Sequence, residues 1–156
     1  MNIEIKDAKI SDIEPFYVLW KEMQGSHEGY DEDFYKPNLT LKPEDVKAYF
    51  KGEMESKDAI ILLAFLNDEM IGFIHAGFGK RPPVYHYKDE VRISIVGVSG
   101  KYRGKGVGTA LISALENRIK RAGFFVSLSV DVDNSAVGLY ERLGFKKRHV
   151  KMYKKY

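Results

Sequence analysis

A chain of 156 residues is the size of one domain and long enough to bury a core. Its formal net charge of +3 collects in two patches, Lys101 to Lys105 and Lys146 to Lys155, which suits an anionic ligand better than a nucleic-acid surface. Cysteine is absent, which excludes disulfides, thiolate metal sites and a protein thiol nucleophile.

His27, His75, His86 and His149 are scattered, with no helical pair flanking a glutamate, so no metal site is expected. The first residues, Met1 to Ile5, lack the charged start and apolar run of a signal peptide. No apolar stretch approaches the ~20 residues of a membrane span. The expectation is a soluble cytoplasmic protein without membrane or nucleic-acid partners.

In chain order, Asn2 to Ile5 alternates like a short strand. Ser11 reads as a helix N-cap with Glu14 three residues on, followed by Phe16, Leu19, Trp20 and Met23 at helical spacing. From Gln24 to Thr40 the periodicity dissolves. A second helix begins at Pro43, as an N1 proline, and runs through Val46, Tyr49 and Phe50 to about Glu55.

Ala59 to Leu66 is a nearly continuous apolar run, the pattern of a strand covered on both faces. Asn67, Asp68 and Glu69 make a turn, and Met70 to Phe78 returns as the hairpin partner. Lys80 to Lys88 is a loop, and Val91 to Val98 a buried strand. A helix then carries Val107, Ala110, Leu111, Ala114, Leu115, Ile119 and Ala122 on one face, with Gly123 as its C-terminal cap. Val126, Leu128, Val130 and Val132 alternate with polar residues as a strand. Asn134 and Ser135 open a short helix ending at Leu143 and Gly144, and Phe145 to Tyr153 reads as a last, basic strand. One α/β domain with a mixed sheet accommodates this order.

The segment Arg103-Gly104-Lys105-Gly106-Val107-Gly108-Thr109 joins a buried strand to the start of an amphipathic helix. Amides of a helix's first turn lack intrahelical partners and sit at the positive end of the aligned peptide dipoles. Glycines let a phosphate approach them, and Arg103 and Lys105 add charge, so a pyrophosphate site is expected. The P-loop spacing fails, since Gly106 rather than Ser or Thr follows Lys105. The dinucleotide spacing fails as well, since Thr109 stands where its third glycine belongs.

What remains is R-x-x-G-x-G at Arg103, Gly106 and Gly108, which resembles the pyrophosphate-binding signature of the GCN5-related N-acetyltransferases (GNAT). A second block agrees: Asn134 after a strand, then Tyr140-Glu141-Arg142-Leu143-Gly144-Phe145, similar to the family's Y-E-x-x-G-F ending. The resemblance is sharp from Val91 to Phe145.

The resemblance implies a three-layer fold with a central mixed, mostly antiparallel sheet, helices on both faces and a splay between the fourth and fifth strands. It implies acetyl-CoA as co-substrate, an amine acceptor, and a possible homodimer by family analogy. Backbone contacts to the cofactor fall on Val96, Gly97 and Val98, and the pyrophosphate on Arg103, Gly104, Lys105, Gly106, Val107, Gly108 and Thr109. Asn134 meets the pantetheine arm, and the Tyr140 hydroxyl lies near the thioester sulfur. Many relatives carry a glutamate base where this chain has Ser94; Glu28, His75 and Glu90 are other candidate bases. The acidic, aromatic stretch His27 to Asp33 is a candidate acceptor site, and Lys146, Lys147 and Arg148 a candidate for the 3′-phosphate. The alternative to an enzyme is a non-catalytic acetyl-CoA-binding regulatory module.

Overall fold

The computed structural model describes residues 1–27, 41–80, 84, 89–119 and 124–154. Five strands, β1 (Glu4–Asp7), β2 (Ala59–Leu66), β3 (Glu69–Lys80), β4 (Asp89–Val98) and β5 (Phe124–Leu128), form one sheet in sequence order. Pairing is antiparallel from β1 to β4 and parallel between β4 and β5. The expected mixed, mostly antiparallel sheet is therefore present, with helices on both faces.

Helices α1 (Ile13–His27) and α2 (Pro43–Glu55) cover one face. Ile61 and Leu63 of β2 and Phe73 of β3 meet Phe16, Leu19, Val46 and Phe50 there. The Phe16 ring lies 4.7 Å from that of Phe50 and 4.6 Å from that of Phe73, so it joins both helices to the sheet. Truncating such a buried aromatic typically costs about 3–5 kcal/mol. Helix α3 (Val107–Ile119) covers the other face, setting Val107, Leu111, Ile112 and Leu115 against Leu62, Ala64, Ile74 and Ala76. Alternate residues of β2 thus enter two cores, which is why its sequence is unbroken apolar. Helix α4 (Val137–Arg142) follows β5.

Both helices on the first face begin with the same device. An aspartate carboxylate accepts the backbone N–H three residues earlier: Asp12 from Lys9 at 2.8 Å, and Asp45 from Lys42 at 3.4 Å. The expected Ser11 cap is not used, because Ile10–Asp12 already forms a 3-10 turn ahead of α1. Pro43 stands at the start of α2, as its sequence position predicts. Asn67 and Asp68, with φ of 49° and 65°, form the two-residue β2–β3 turn, and pairing resumes at Glu69 opposite Leu66.

Two features set β4 apart from the other strands. The β3–β4 register jumps between His75, opposite Ile95, and Ala76, opposite Ile93, so Ser94 is the extra residue of a β-bulge. Pairing with β5 stops at Ile93 opposite Leu128, while pairing with β3 continues to Val98. From Ser94 to Val98, β3 is the sole described strand neighbour, and this is the splay that the resemblance implies.

Three expectations are corrected. β5 ends at Leu128 rather than Val132, which is exposed, because β4 has no pairing to offer beyond the bulge. Asn134 and Ser135 precede α4 in a turn, and the helix proper starts at Val137. Phe145 to Tyr153 is not a strand: Val150 and Met152 are 88% and 87% exposed, with no sheet to receive them. The Gly123 cap lies outside the described residues. Among the described residues no helix is long and apolar enough to cross a membrane.

Candidate functional site

The open half of β4 leads directly into the glycine loop. Ser99 N–H bonds the Ile71 carbonyl at 3.0 Å, so Ser99 points its peptide groups at β3. Antiparallel ladders alternate, which turns Gly97 toward β3 and turns the N–H and C=O groups of Val96 and Val98 to the side where no described strand pairs. The Val98 carbonyl accepts a hydrogen bond from Arg103 Nε at 3.2 Å. Gly97 is buried, and a Cβ there would stand 2.8 Å from Phe73 Cζ. The close approach it permits is thus that of the neighbouring strand's ring.

After a 3-10 turn at Gly100–Tyr102, Gly104 and Gly106 adopt φ of 72° and 86°, a region that L side chains rarely enter. A Cβ at either would meet nothing within 4 Å, so backbone conformation rather than crowding requires glycine there. The first bond of α3 runs from Ala110 N–H to the Gly106 carbonyl, which leaves the amides of Val107, Gly108 and Thr109 ahead of the helical ladder. Arg103 and Lys105 are exposed on the same loop. Free amides and two cations at a helix N-terminus are the groups with which an anion can be held.

Carboxylates from elsewhere hold this loop, and the sequence gives no signal for them. Glu22 of α1 accepts the Gly100 N–H at 2.7 Å and lies 3.4 Å from the Ser99 hydroxyl. Glu69 at the start of β3 accepts the Tyr102 hydroxyl at 2.6 Å. That bond, together with the charge of Lys101, holds Glu69 below its ordinary carboxylate range.

At the far side of α3, Gly108 faces α4: its Cβ would stand 3.2 Å from Leu139 Cδ2. Asn134 Oδ1 accepts the Ala136 N–H at 2.8 Å and its backbone carbonyl accepts the Val137 N–H at 3.0 Å, so Asn134 closes the turn into α4. Its carboxamide nitrogen has no partner among the described residues. Tyr140 is half-buried against the α3 core, its ring 5.9 Å from that of Phe145. Its hydroxyl bonds no described residue, and burial pushes the phenol above its ordinary value of 10.0.

The candidate bases separate. Ser94 is exposed on the bulge at the splay. His75 is 4% exposed in the opposite core, with Nε2 2.8 Å from Glu53 Oε2 and its ring 6.0 Å from that of Phe50. Glu90 accepts a hydrogen bond from the Ser127 hydroxyl near the closed end of the β4–β5 pair. Glu28 and the stretch to Asp33 lie outside the described residues. Lys146, Lys147 and Arg148 are exposed after α4, with Lys147 2.9 Å from Glu141.

A strand whose pairing with its parallel neighbour breaks off and which leads into a glycine-lined helix start marks a fold family rather than a single protein. The model of the Acetyltransferase (GNAT) family matches residues 23–145, and the chain belongs to that family. An uncharacterized N-acetyltransferase of Methanocaldococcus jannaschii, MJ1207, is 28% identical over 148 residues, covering 94% of this chain. The chain spans 62% of that relative's length. A mutant of the BH1408 protein from Bacillus halodurans shares the fold with a TM-score of 0.83 at 21% identity, covering 98% of this chain and 99% of that one. A predicted acetyltransferase from Clostridium acetobutylicum, solved with acetyl-CoA, gives a TM-score of 0.77 at 20% identity, covering 98% and 96%.

Proposed function

We propose that residues 1–156 form one acyltransferase domain that moves an acetyl group from acetyl-CoA to a primary amine of a small molecule or peptide, by direct attack. The observation that carries this reading is the run of β4 edge, Val96 to Val98, that no described strand pairs, into the positive-φ glycine loop at the start of α3. Extended peptide-like pantetheine suits a strand edge, and a diphosphate suits helix amides flanked by Arg103 and Lys105. The open space above Gly104 and Gly106 fits the same donor.

When bound, acetyl-CoA supplies an activated thioester. In the reaction a C–N bond forms, the C–S bond breaks, the amine loses one proton and CoA leaves as a thiolate. Val96 and Val98 offer outward amides to the pantetheine and to the carbonyl oxygen as it gains charge. The nitrogen of Asn134, without a partner among the described residues, is available to a pantetheine carbonyl.

Tyr140 hydrogen-bonds the departing sulfur. Its phenol is raised above 10 while a thiol titrates near ~8.5, so it stabilises the thiolate without surrendering its proton. Ser94 is no base alone; it orients a water through which the amine proton leaves.

The test is release of free CoA thiol from acetyl-CoA with polyamines, aminoglycosides, lysine peptides and peptides of varied N-termini. The chain has no cysteine, so it contributes no thiol background. Turnover with one class names the acceptor. Tight acetyl-CoA binding with no turnover across the panel favours the regulatory module, for which the absence of glutamate at Ser94 speaks. No binding overturns the donor assignment.

A further inference from the structure

Lys101, Arg103 and Lys105 put three cations within five residues, a density that opposes itself when no anion is present. Tyr102, in their midst, is 8% exposed and belongs to the α3 core. Its hydroxyl donates to Glu69 Oε2 at 2.6 Å across the β3–β4 hairpin. Lys101 Nζ lies 3.6 Å from the same carboxylate oxygen and 5.0 Å from the centre of the Tyr102 ring. Lys105 Nζ lies 5.4 Å from that centre. One buried ring and one carboxylate therefore hold both flanking ammonium groups.

We propose that Glu69 and Tyr102 are positioning residues for the diphosphate of the donor, fixing the cations of the glycine loop before the ligand arrives. The proposal rests on the acetyl-CoA reading above. Glu69 offsets one positive charge, that of Lys101, and fixes the phenol that in turn seats Lys105 on its ring face. The Arg103 backbone follows directly from this anchored residue, and its side chain is tied to Val98.

A ligand meeting side chains already held loses less freedom on binding. Glu69 has no contact with the open edge of β4, so its effect on the donor passes through Tyr102 and Lys101. The frame belongs to the diphosphate end of the site alone, and the thioester end does not depend on it.

Titration calorimetry tests this with CoA, with adenosine 3′-phosphate 5′-diphosphate, and with acetyl-pantetheine, which lacks the diphosphate and is measured at ~millimolar concentration by displacement. In Tyr102→Phe, which keeps the ring, and in Glu69→Gln, affinity for both diphosphate ligands is expected to fall about five- to tenfold. The double variant should lose no more than the weaker single one. Acetyl-pantetheine should bind wild type and variants alike. Wild-type affinity of the variants for CoA overturns the proposal, and so does an equal loss for acetyl-pantetheine, which marks a merely structural role. A wild-type protein that binds no CoA removes the donor reading itself, and this proposal with it.

Discussion

Arg103 Nε donates to the Val98 carbonyl across 3.2 Å, so the side chain that opens the glycine loop hangs from the last residue of β4. The strand edge assigned to pantetheine and the loop assigned to diphosphate are thereby one piece of backbone with one fixed geometry. Arg103→Ala removes that tie and a loop cation together. A hydrogen bond to a charged group is worth about 1.5–3 kcal/mol. The KM for acetyl-CoA should rise roughly ten- to a hundredfold, with kcat at saturation within about threefold. Initial rates over a wide acetyl-CoA range check this. A fall in kcat with unchanged KM places Arg103 in the chemical step instead.

Gly97 and Gly106 should fail differently when changed to alanine. At Gly97 the new methyl runs into the Phe73 ring, which is fully buried and cannot retreat. Overpacking of this kind costs about 1–3 kcal/mol, which lowers Tm by roughly 2–4 °C per kcal/mol in a chain of this size. At Gly106 the methyl finds open space, and only the φ of 86° resists, at about 1–2 kcal/mol. Gly97→Ala should therefore lower both Tm and turnover through the strand. Gly106→Ala should chiefly weaken acetyl-CoA affinity, since the loop relaxes to negative φ and its amides turn away. Calorimetry and thermal melts on the two variants separate these outcomes.

The contrast between these glycines also marks what the sequence can reveal. Gly106 sits in a spaced motif whose chemistry is local, so the expectation of a phosphate loop at Arg103, Gly106 and Gly108 needs no knowledge of the fold. The apolar periods of Ala59 to Leu66 and Val107 to Ile119 are likewise local and place both cores. Gly97, by contrast, answers to Phe73 on the next strand, and Gly108 answers to Leu139 as well as to the loop. The bulge at Ser94 appears only when two strands are laid in register. Alternation through Val130 and Val132 has the pattern of continued strand, yet a strand needs a partner, and β4 has already diverged. The carboxylates Glu22 and Glu69 reach their targets across 78 and 33 residues, a distance that no spacing rule covers.

Ser94 is exposed on the bulge, where β4 leaves β5. If it orients the water that takes the amine proton, Ser94→Ala should lower turnover about three- to thirtyfold while acetyl-CoA affinity stays within about twofold. Ser94→Glu, which supplies the base that the family resemblance leads one to expect on this strand, should raise turnover near neutral pH. Equal rates in all three proteins at pH 7 and pH 9 remove Ser94 from the reaction.

Tyr140→Phe keeps the packing against Phe145 and removes only the hydroxyl, which bonds no described residue. Loss of a hydrogen bond to a developing thiolate is worth about 1.5–3 kcal/mol, so turnover should fall roughly ten- to a hundredfold with acetyl-CoA affinity nearly unchanged. The pH profile carries a second check. Burial disfavours the phenolate and raises the phenol above 10, so Tyr140 stays protonated and able to donate at every pH below that. An alkyl ammonium near ~10.4 deprotonates progressively over the same range. The wild-type rate should therefore climb from pH 7 to pH 9 without a descending limb before about pH 10. Stability runs the other way with pH. The raised phenol contributes its full share below pH 10 and loses it as the pH climbs through the folded value, because the unfolded chain gives up that proton first. A falling limb near pH 8 in wild type that persists in Tyr140→Phe assigns the alkaline loss to another group, whereas unchanged turnover in Tyr140→Phe takes the thiolate role from Tyr140.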